Sequence, residues 1–296
     1  MSYPLMENNI SNTDIKKIIS FLKKNPKLTA GEKTFEFEKK WSKWLGVKYS
    51  IFVNSGSSAN FLTMAALRYF KKNDKRNEII VPTLAWNSDI VSVIYNNFKP
   101  VFVDIDLKNL SMSTDQILKK ISNKTLGVFI SHIQGFNALN TKLINYLKKR
   151  KIYLIEDVCE SHGAKFLNKK CGSFGLASNF SFYYAHHMTT IEGGMIVTDD
   201  FETSVLTVSK HGMAKRSRLG SGEMIAVTDE STGGPAIDEN GEAIIERDGY
   251  RRTNRGTKGV KTMALDKDDE IVAVRQIPDL NDQLFMLTSK GMMIRM

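Results

Sequence analysis

Apolar residues along this chain recur in two different rhythms. Ile15, Ile18, Ile19 and Leu22 fall on one helical stripe, and Phe35, Trp41 and Trp44 mark a second helical stretch that ends at Gly46. From residue 49 short apolar runs take over, separated by amphipathic segments: YSIFV, EIIV, PVFVDI, TLGVFI, IYLIED, FSFYY and GMIVTD. Runs of this kind suit strands buried on both faces. Their alternation with helices predicts β-α-β units in a largely parallel sheet covered by helices. After about Phe201 the helical period disappears. VLTVS, EMIAVT, EAIIE, IVAVRQI and LFMLTS are short strand candidates separated by Gly, Asp and Asn, and Asn240-Gly241 is a hairpin turn signal. The expected fold class is α/β over residues 1–203 and all-β over residues 204–296.

Composition changes at the same place. Residues 1–200 hold 25 Lys, 3 Arg and 18 Asn, whereas residues 201–296 hold 6 Lys, 8 Arg and 3 Asn. Function makes no obvious demand for that switch between similar cations, so the two segments read as different in origin. The net charge of +10 also divides unevenly, with 28 Lys/Arg against 17 Asp/Glu before residue 201 and 14 against 15 after it. The excess is Lys on helix faces, as in IKKIISFLKK and INYLKKRKI, which is the pattern of a solvated surface. Hydrophobic residues at 42% can build a sizeable core, which argues against disorder. No apolar run approaches a membrane span, and the first residues lack the apolar stretch of a signal peptide. A cytoplasmic protein is expected. Cys159 and Cys171 are too few for a disulfide framework or a four-cysteine metal site, and no metal is expected.

Three segments carry candidate chemistry. NSGSSAN, residues 54–60, follows a strand and opens the helix ANFLTMAALRYF. Such a turn directs backbone N–H groups and small hydroxyls at one spot where the helix dipole favours an anion, although an ordinary Gly/Ser turn has the same spelling. IYLIEDVCESHGA puts Asp157 at the carboxyl end of a buried-type strand, the edge at which open α/β sheets bind ligands; a capping carboxylate is the alternative. SNFSFYYAHHMTTIEGGM runs a strand into a polar turn that carries Ser181, His186 and His187. Adjacent histidines can serve a metal, but no further ligand spacing supports one here.

As an ordered set these segments resemble the DegT/DnrJ/EryC1/StrS sugar aminotransferase family of pyridoxal-phosphate enzymes. The resemblance also rests on FEFEKKWSKWLGVKYSIFVNSGSSAN, IIVPTLAWNSDIVSV and PVFVDID, and it covers residues 1 to about 200. It implies a three-layer transferase-like large domain, cut short of the family's small domain, and a homodimer. By the same resemblance Gly56, Ser57 and Ser181 bind the phosphate of pyridoxal 5'-phosphate or pyridoxamine 5'-phosphate, and Trp86 stacks on its ring. Asp157 pairs with the ring nitrogen, and Glu160, one helical turn on, contacts cofactor or substrate. The family's lysine falls five residues after the serine of the SF motif, where this chain has His186. Imidazole cannot condense with the cofactor's aldehyde, but it can move a proton near neutral pH. The exchange resembles the 3-dehydratase branch, which acts on NDP-4-keto-6-deoxy sugars and there removes a proton from the cofactor's C4′ carbon. Without late cluster-binding cysteines, the cluster-free, GDP-4-keto-6-deoxymannose 3-dehydratase-like kind is the nearer comparison.

The tail resembles a different family, the C-terminal β-pinwheel of the DNA gyrase A subunit, from about Ser204 to the end. YRRTNRGTKGVKTM and DQLFMLTSKGMMIRM carry the likeness. HGMAKR resembles a motif of the sugar enzymes at that point, while the residues around it fit the gyrase blade. The resemblance implies DNA contact through Arg251, Arg252, Arg255, Lys258 and Lys261; solvated loop charge is the competing reading. The expectation is a chimera of two incomplete proteins. DNA binding by the tail alone, or a non-functional fusion acting at most as a scaffold, are the rivals.

Overall fold

A computed structural model describes residues 9–29, 31–71 and 74–199, and beyond them 204–209, 214–218, 224–226, 235–239, 241–247, 271–277, 285–287 and 293–295. The chain divides into two compact units, Met1–Asp200 and Phe201–Met296.

In the first unit the expected helices form. Helix α1, Asn12–Leu22, begins at a capping box in which Ser11 and Asp14 exchange hydrogen bonds, and its apolar stripe is exposed at 43–48%. Helix α2, Glu32–Leu45, stops at Gly46, whose φ of 87° is open to glycine at no steric cost. Strand β1 (Tyr49–Val53) leads into α3 (Gly56–Phe70), β2 (Glu78–Pro82), α4 (Asn87–Tyr95) and β3 (Lys99–Val103). A short hairpin, β4 (Ile105–Asp106) with β5 (Ser111–Met112), precedes α5 (Thr114–Lys120), β6 (Thr125–Ser131), α6 (Thr141–Lys149) and β7 (Tyr153–Asp157). A second hairpin, β8 (Lys165–Phe166) with β9 (Lys169–Lys170), leads to β10 (Ala177–Ser181) and β11 (Gly194–Thr198).

One seven-stranded sheet gathers these strands in the order β1-β11-β10-β7-β6-β2-β3. Strand β11 runs antiparallel to both of its neighbours, and the remaining pairs are parallel. Every residue of β2 and β6 is buried, which requires helices on both faces. Alternate residues of the same strands accordingly enter separate cores. Ile80, Val128, Ile130 and Leu154 pack with Leu143 and Leu147 of α6, whereas Ile79, Val81, Phe129 and Ile155 pack with Met64 and Leu67 of α3 and Val93 of α4. A third cluster joins Trp41 and Leu45 of α2 to Phe180, Phe182 and Met195. The unit is thus a three-layer α/β fold.

FSFYY is strand only in its first two residues. Phe182 still donates its N–H to Gly193, but the Tyr183 N–H turns back to the Ser181 hydroxyl at 3.3 Å, which ends β10 and starts the histidine-bearing turn.

In the second unit every described strand pairing is antiparallel. Strand β12 (Ser204–Ser209) lies between β13 (Ala214–Arg218) and β16 (Ile271–Ile277). Strand β14 (Met224–Ala226) pairs with β15 (Ile245–Arg247), and β17 (Phe285–Leu287) with β18 (Met293–Arg295). Ile237 bridges to Ala243 across a turn in which Gly241 has φ 82°, where the hairpin was expected. No described strand of this unit joins the seven-stranded sheet. Strand β13, AKRSR, has no apolar alternation, so only its pairing with β12 marks it.

Candidate active site at the carboxyl edge of the sheet

Six of the seven strands run parallel, so their carboxyl ends collect at one edge. Strand β1 delivers Ser55, Gly56 and Ser57 there, β10 delivers Ser181, β7 delivers Asp157 and β6 delivers Ser131. The Ser55 hydroxyl caps α3 by accepting from the Ser58 N–H at 3.1 Å. The N–H groups of Gly56 and Ser57 belong to the first turn, which has no intrahelical acceptors. A Cβ on Gly56 would lie 2.7 Å from the Ser181 Cβ and 3.1 Å from the Cys159 Sγ, so only glycine lets α3 start against the end of β10. A Cβ on Gly194 would lie 2.3 Å from the Ser55 carbonyl oxygen. These glycines, distant in sequence, clamp the turn in place. Ser57 also lines an open cleft of about 320 Å³ with Asn54, Ser58, Phe61 and Leu62.

Asp157 is 7% exposed. One carboxylate oxygen accepts from the Cys159 N–H and the other from the Asn60 side-chain amide, each at 2.9 Å. The same amide nitrogen donates to Asp89 at 2.8 Å, and Ser131 donates to the second oxygen of Asp89. Burial and then the Asp157 charge push the Asp89 carboxyl well above its ordinary value. Asn60 and Asp89 were absent from the sequence-based candidates. Both lie inside quoted motifs, but an Asn in a helix and an Asp in a helix's first turn read as capping or surface residues. Their burial is the signal, and it exists only in the fold.

His186 follows β10 and is partly buried. Burial lowers its pKa from the ordinary 6.5, against the charges of Glu160 and Asp157, which pull the other way. The net lowering favours the neutral imidazole at neutral pH, the form that can accept a proton. Behind it His162 packs edge-on against Trp41 and Phe182, with ring centroids 5.7 and 5.6 Å away, and 6.4 Å from His186. Burial, then His187 and His186, lower His162 to about 4. The nearby Ser181 backbone opposes this slightly, though no hydrogen bond of ordinary geometry reaches either ring nitrogen of His162.

Glu160, expected one helical turn beyond Asp157, does not lie in a helix. Residues 158–163 form successive turns, not a helix, because Gly163 takes φ 86° and the Ser161 and Ala164 N–H groups bond three residues back. Glu160 accepts from the Gln134 N–H at 3.2 Å. Trp86 immediately precedes α4, after the carboxyl end of β2, and is 72% exposed. Its carbonyl accepts the Asp89 N–H at 3.0 Å. Its indole makes no ring contact with another described residue. Gly56, Ser181 and Cys159 therefore meet directly, and Asp157, Glu160 and His186 share an electrostatic neighbourhood, while Trp86 stands at the same edge. Arg251, Arg252, Arg255, Lys258 and Lys261 lie outside the described residues. Among the described residues no helix is long and apolar enough to cross a membrane.

Comparison with known proteins supplies two family matches. The model of the DegT/DnrJ/EryC1/StrS aminotransferase family matches residues 8–228, and that of the DNA gyrase C-terminal domain, beta-propeller, matches residues 245–278 and 282–296. HGMAKR, residues 211–216, falls inside the first match. The GDP-4-keto-6-deoxy-D-mannose 3-dehydratase of Escherichia coli O55:H7 is 37% identical over 220 residues, which cover 73% of this chain and 56% of that protein. Its counterpart from Yersinia pseudotuberculosis is 33% identical over 223 residues, with the same two coverages. The structure of the E. coli GDP-4-keto-6-deoxy-D-mannose-3-dehydratase with bound hydrated PLP superposes with a TM-score of 0.63 at 38% identity, covering 68% of this chain and 52% of that one. The chain spans about half the length of the curated relatives it matches.

Proposed function

Because this chain belongs to the DegT/DnrJ/EryC1/StrS aminotransferase family, we propose that its first unit is the cofactor-holding part of a sugar 3-dehydratase. The substrate class is an NDP-4-keto-6-deoxyhexose, of which GDP-4-keto-6-deoxymannose is the favoured member because two similar relatives carry that name. The observation that carries the reading is the meeting of Gly56 with Ser181 beside Asp157, at the sheet edge where His186 takes the place of the family's lysine.

The residues fit pyridoxal or pyridoxamine phosphate. A helix N-terminus with two first-turn N–H groups and the Ser57 and Ser181 hydroxyls suits a phosphate. A buried carboxylate whose described hydrogen bonds come from one side-chain amide and one backbone N–H suits a protonated ring nitrogen. When bound, the cofactor supplies an electron-accepting ring and, as pyridoxamine phosphate, an amine that condenses with a sugar ketone. Gly56, Ser57 and Ser181 then bind the phosphate, Trp86 covers one face of the ring, and Asp157 keeps the ring nitrogen protonated. His186 takes the proton from the C4′ carbon, as its lowered pKa allows, and Glu160 acts beside it on cofactor or substrate. The family's homodimer and a cytoplasmic setting, in keeping with the free thiols Cys159 and Cys171, belong to the same reading. Titrating the purified chain with each cofactor and following absorbance tests it. Saturable binding lost on Asp157→Ala supports it, and no binding of either cofactor overturns it.

A second reading concerns the other unit, within which the gyrase-type match covers residues 245–278 and 282–296, while the transferase-family match runs on to residue 228. In it residues 204–296 are β-pinwheel blades joined to the transferase part of residues 1–203. Arg251, Arg252, Arg255, Lys258 and Lys261 contact DNA phosphates there. Binding of the full chain to duplex DNA should then weaken steeply with salt, with a slope reduced by about one for each of these cations removed. Salt-independent binding, or none, leaves the tail without this role and favours the non-functional fusion.

A further inference from the structure

Two carboxyl groups share one amide at the carboxyl edge of the sheet, and the proposed chemistry uses only one of them. Asp89 sits in the first turn of α4 and is 1% exposed. An acid at that position usually faces water while favouring the helix dipole. This one turns inward to Ser131 and to Asn60, whose amide nitrogen also holds Asp157, and it lies within hydrogen-bond reach of Asp157 itself. The described hydrogen bonds to the pair come from neutral donors, the Ser131 hydroxyl, the shared Asn60 amide and the Cys159 N–H; the Cys159 thiol also lies beside Asp157, and the Glu160 charge bears on Asp89. Two adjacent buried anions on so few donors lose hydration and repel each other, so such a pair retains one proton.

We propose that Asp89 is a positioning residue for Asp157: it carries the pair's proton and, with Asn60 and Ser131, holds Asp157 as the pair's single anion. The direction in which burial and Asp157 move the Asp89 carboxyl agrees with this assignment. What Asp157 faces rests on the cofactor reading above. Where the proton sits is a property of the protein alone. A neutral acid donating to Asp157 fixes the carboxylate's orientation without adding a second charge. Asparagine at position 89 preserves that, because its NH₂ also donates, whereas alanine leaves Asp157 with one partner fewer.

Two measurements on the full chain test the proposal. Infrared spectra of the protein without cofactor at pH 7 should contain a protonated-carboxyl stretching band that disappears in Asp89→Asn. With pyridoxamine phosphate labelled with ¹⁵N in its ring, the nitrogen should stay protonated in the native protein and in Asp89→Asn. In Asp89→Ala its deprotonation should move to lower pH, and affinity should fall by about ten- to a hundredfold, the effect of losing a hydrogen bond to a charged group. A native spectrum without the band, or a band that persists in Asp89→Asn, overturns the proposal. So does an alanine variant whose ring nitrogen titrates like the native one. If no cofactor binds to the native chain, the cofactor reading fails, and the infrared band alone still decides where the proton resides.

Discussion

Glu156 and Asp157 are neighbours on β7, and the period of a strand sends them to opposite faces of the sheet. Both are buried, at 0% and 7% exposure, yet their surroundings differ completely. Glu156 accepts from the N–H groups of Gly172, Phe174 and Gly175 at 2.8, 2.9 and 2.8 Å, and from His132 Nε2 at 3.1 Å. His132 Nδ1 accepts the Ala138 N–H, so Nε2 carries the hydrogen that Glu156 receives. Burial alone would raise the Glu156 carboxyl. His132 and the backbone donors outweigh it and hold the group below its ordinary value. Asp157 accepts described hydrogen bonds from the Cys159 N–H and from the Asn60 amide, which it shares with Asp89. A carboxylate satisfied by its own protein fastens a loop to a strand and offers nothing to a ligand. One left with spare acceptor capacity at the binding edge can serve a partner that arrives later.

The largest effect expected from this contrast is on stability. Glu156→Gln points an NH₂ at donors that already have no other acceptor, and it should cost about 3–5 kcal/mol of unfolding free energy in a urea titration. A loss under about 1 kcal/mol would mean that the loop at 172–175 is not anchored through this group. Asp157→Asn should behave in the opposite way. Its unfolding free energy should change by less than about 1 kcal/mol, because it removes one of two crowded carboxyls, while pyridoxamine phosphate binding weakens about ten- to a hundredfold. Equal losses of stability in the two variants would erase the distinction between them.

That distinction was half legible in the sequence. IYLIED reads as a buried strand and puts Asp157 at its carboxyl end, and NSGSSAN reads as an anion-binding turn at a helix start. Both readings depend on local spacing, which a sequence displays. The partners of these residues are not local. Asn60 meets Asp157 across 97 residues of chain and Ser131 meets Asp89 across 42, so only the order of strands in the sheet brings them together. Glu156 is not legible in the sequence, because an acid one residue before Asp157 has no pattern of its own until the loop at 172–175 folds over it. Glu160 reads as helical in the sequence, but the turn at Gly163 competes with the helical period. Strand β13 has no apolar alternation to betray it. The Lys-to-Arg change falls near Asp200, where the two compact units divide, although the transferase-family match runs on to residue 228.

The smallest expected effect separates the two carboxyls by their response to pH. Glu156 binds its proton less readily in the folded state, so its contribution is present above its unfolded pKa near 4.5 and is lost as pH falls through the lower folded value. Asp89 is raised above its unfolded 3.8, so the folded state keeps a proton that the unfolded state has released, and stability declines as pH rises through that interval. Asp89→Asn lacks this decline. It should equal or exceed the native protein by about 1 kcal/mol at pH 7 and lose that advantage below about pH 4, as read from unfolding curves across pH. An advantage that grows on acidification would place the proton elsewhere.

The central claim, that the first unit is a cofactor site with histidine standing where the family has lysine, is tested most directly at position 186. Native protein and His186→Lys are each mixed with pyridoxal phosphate, reduced with borohydride, digested and mapped by mass spectrometry. The account predicts a reduced cofactor adduct on residue 186 of the lysine variant. The native protein should bind the cofactor reversibly and carry no adduct within the site, because imidazole has no primary amine to condense. A native adduct on another lysine of the site, or a lysine variant that binds cofactor yet leaves residue 186 unmodified, would contradict it.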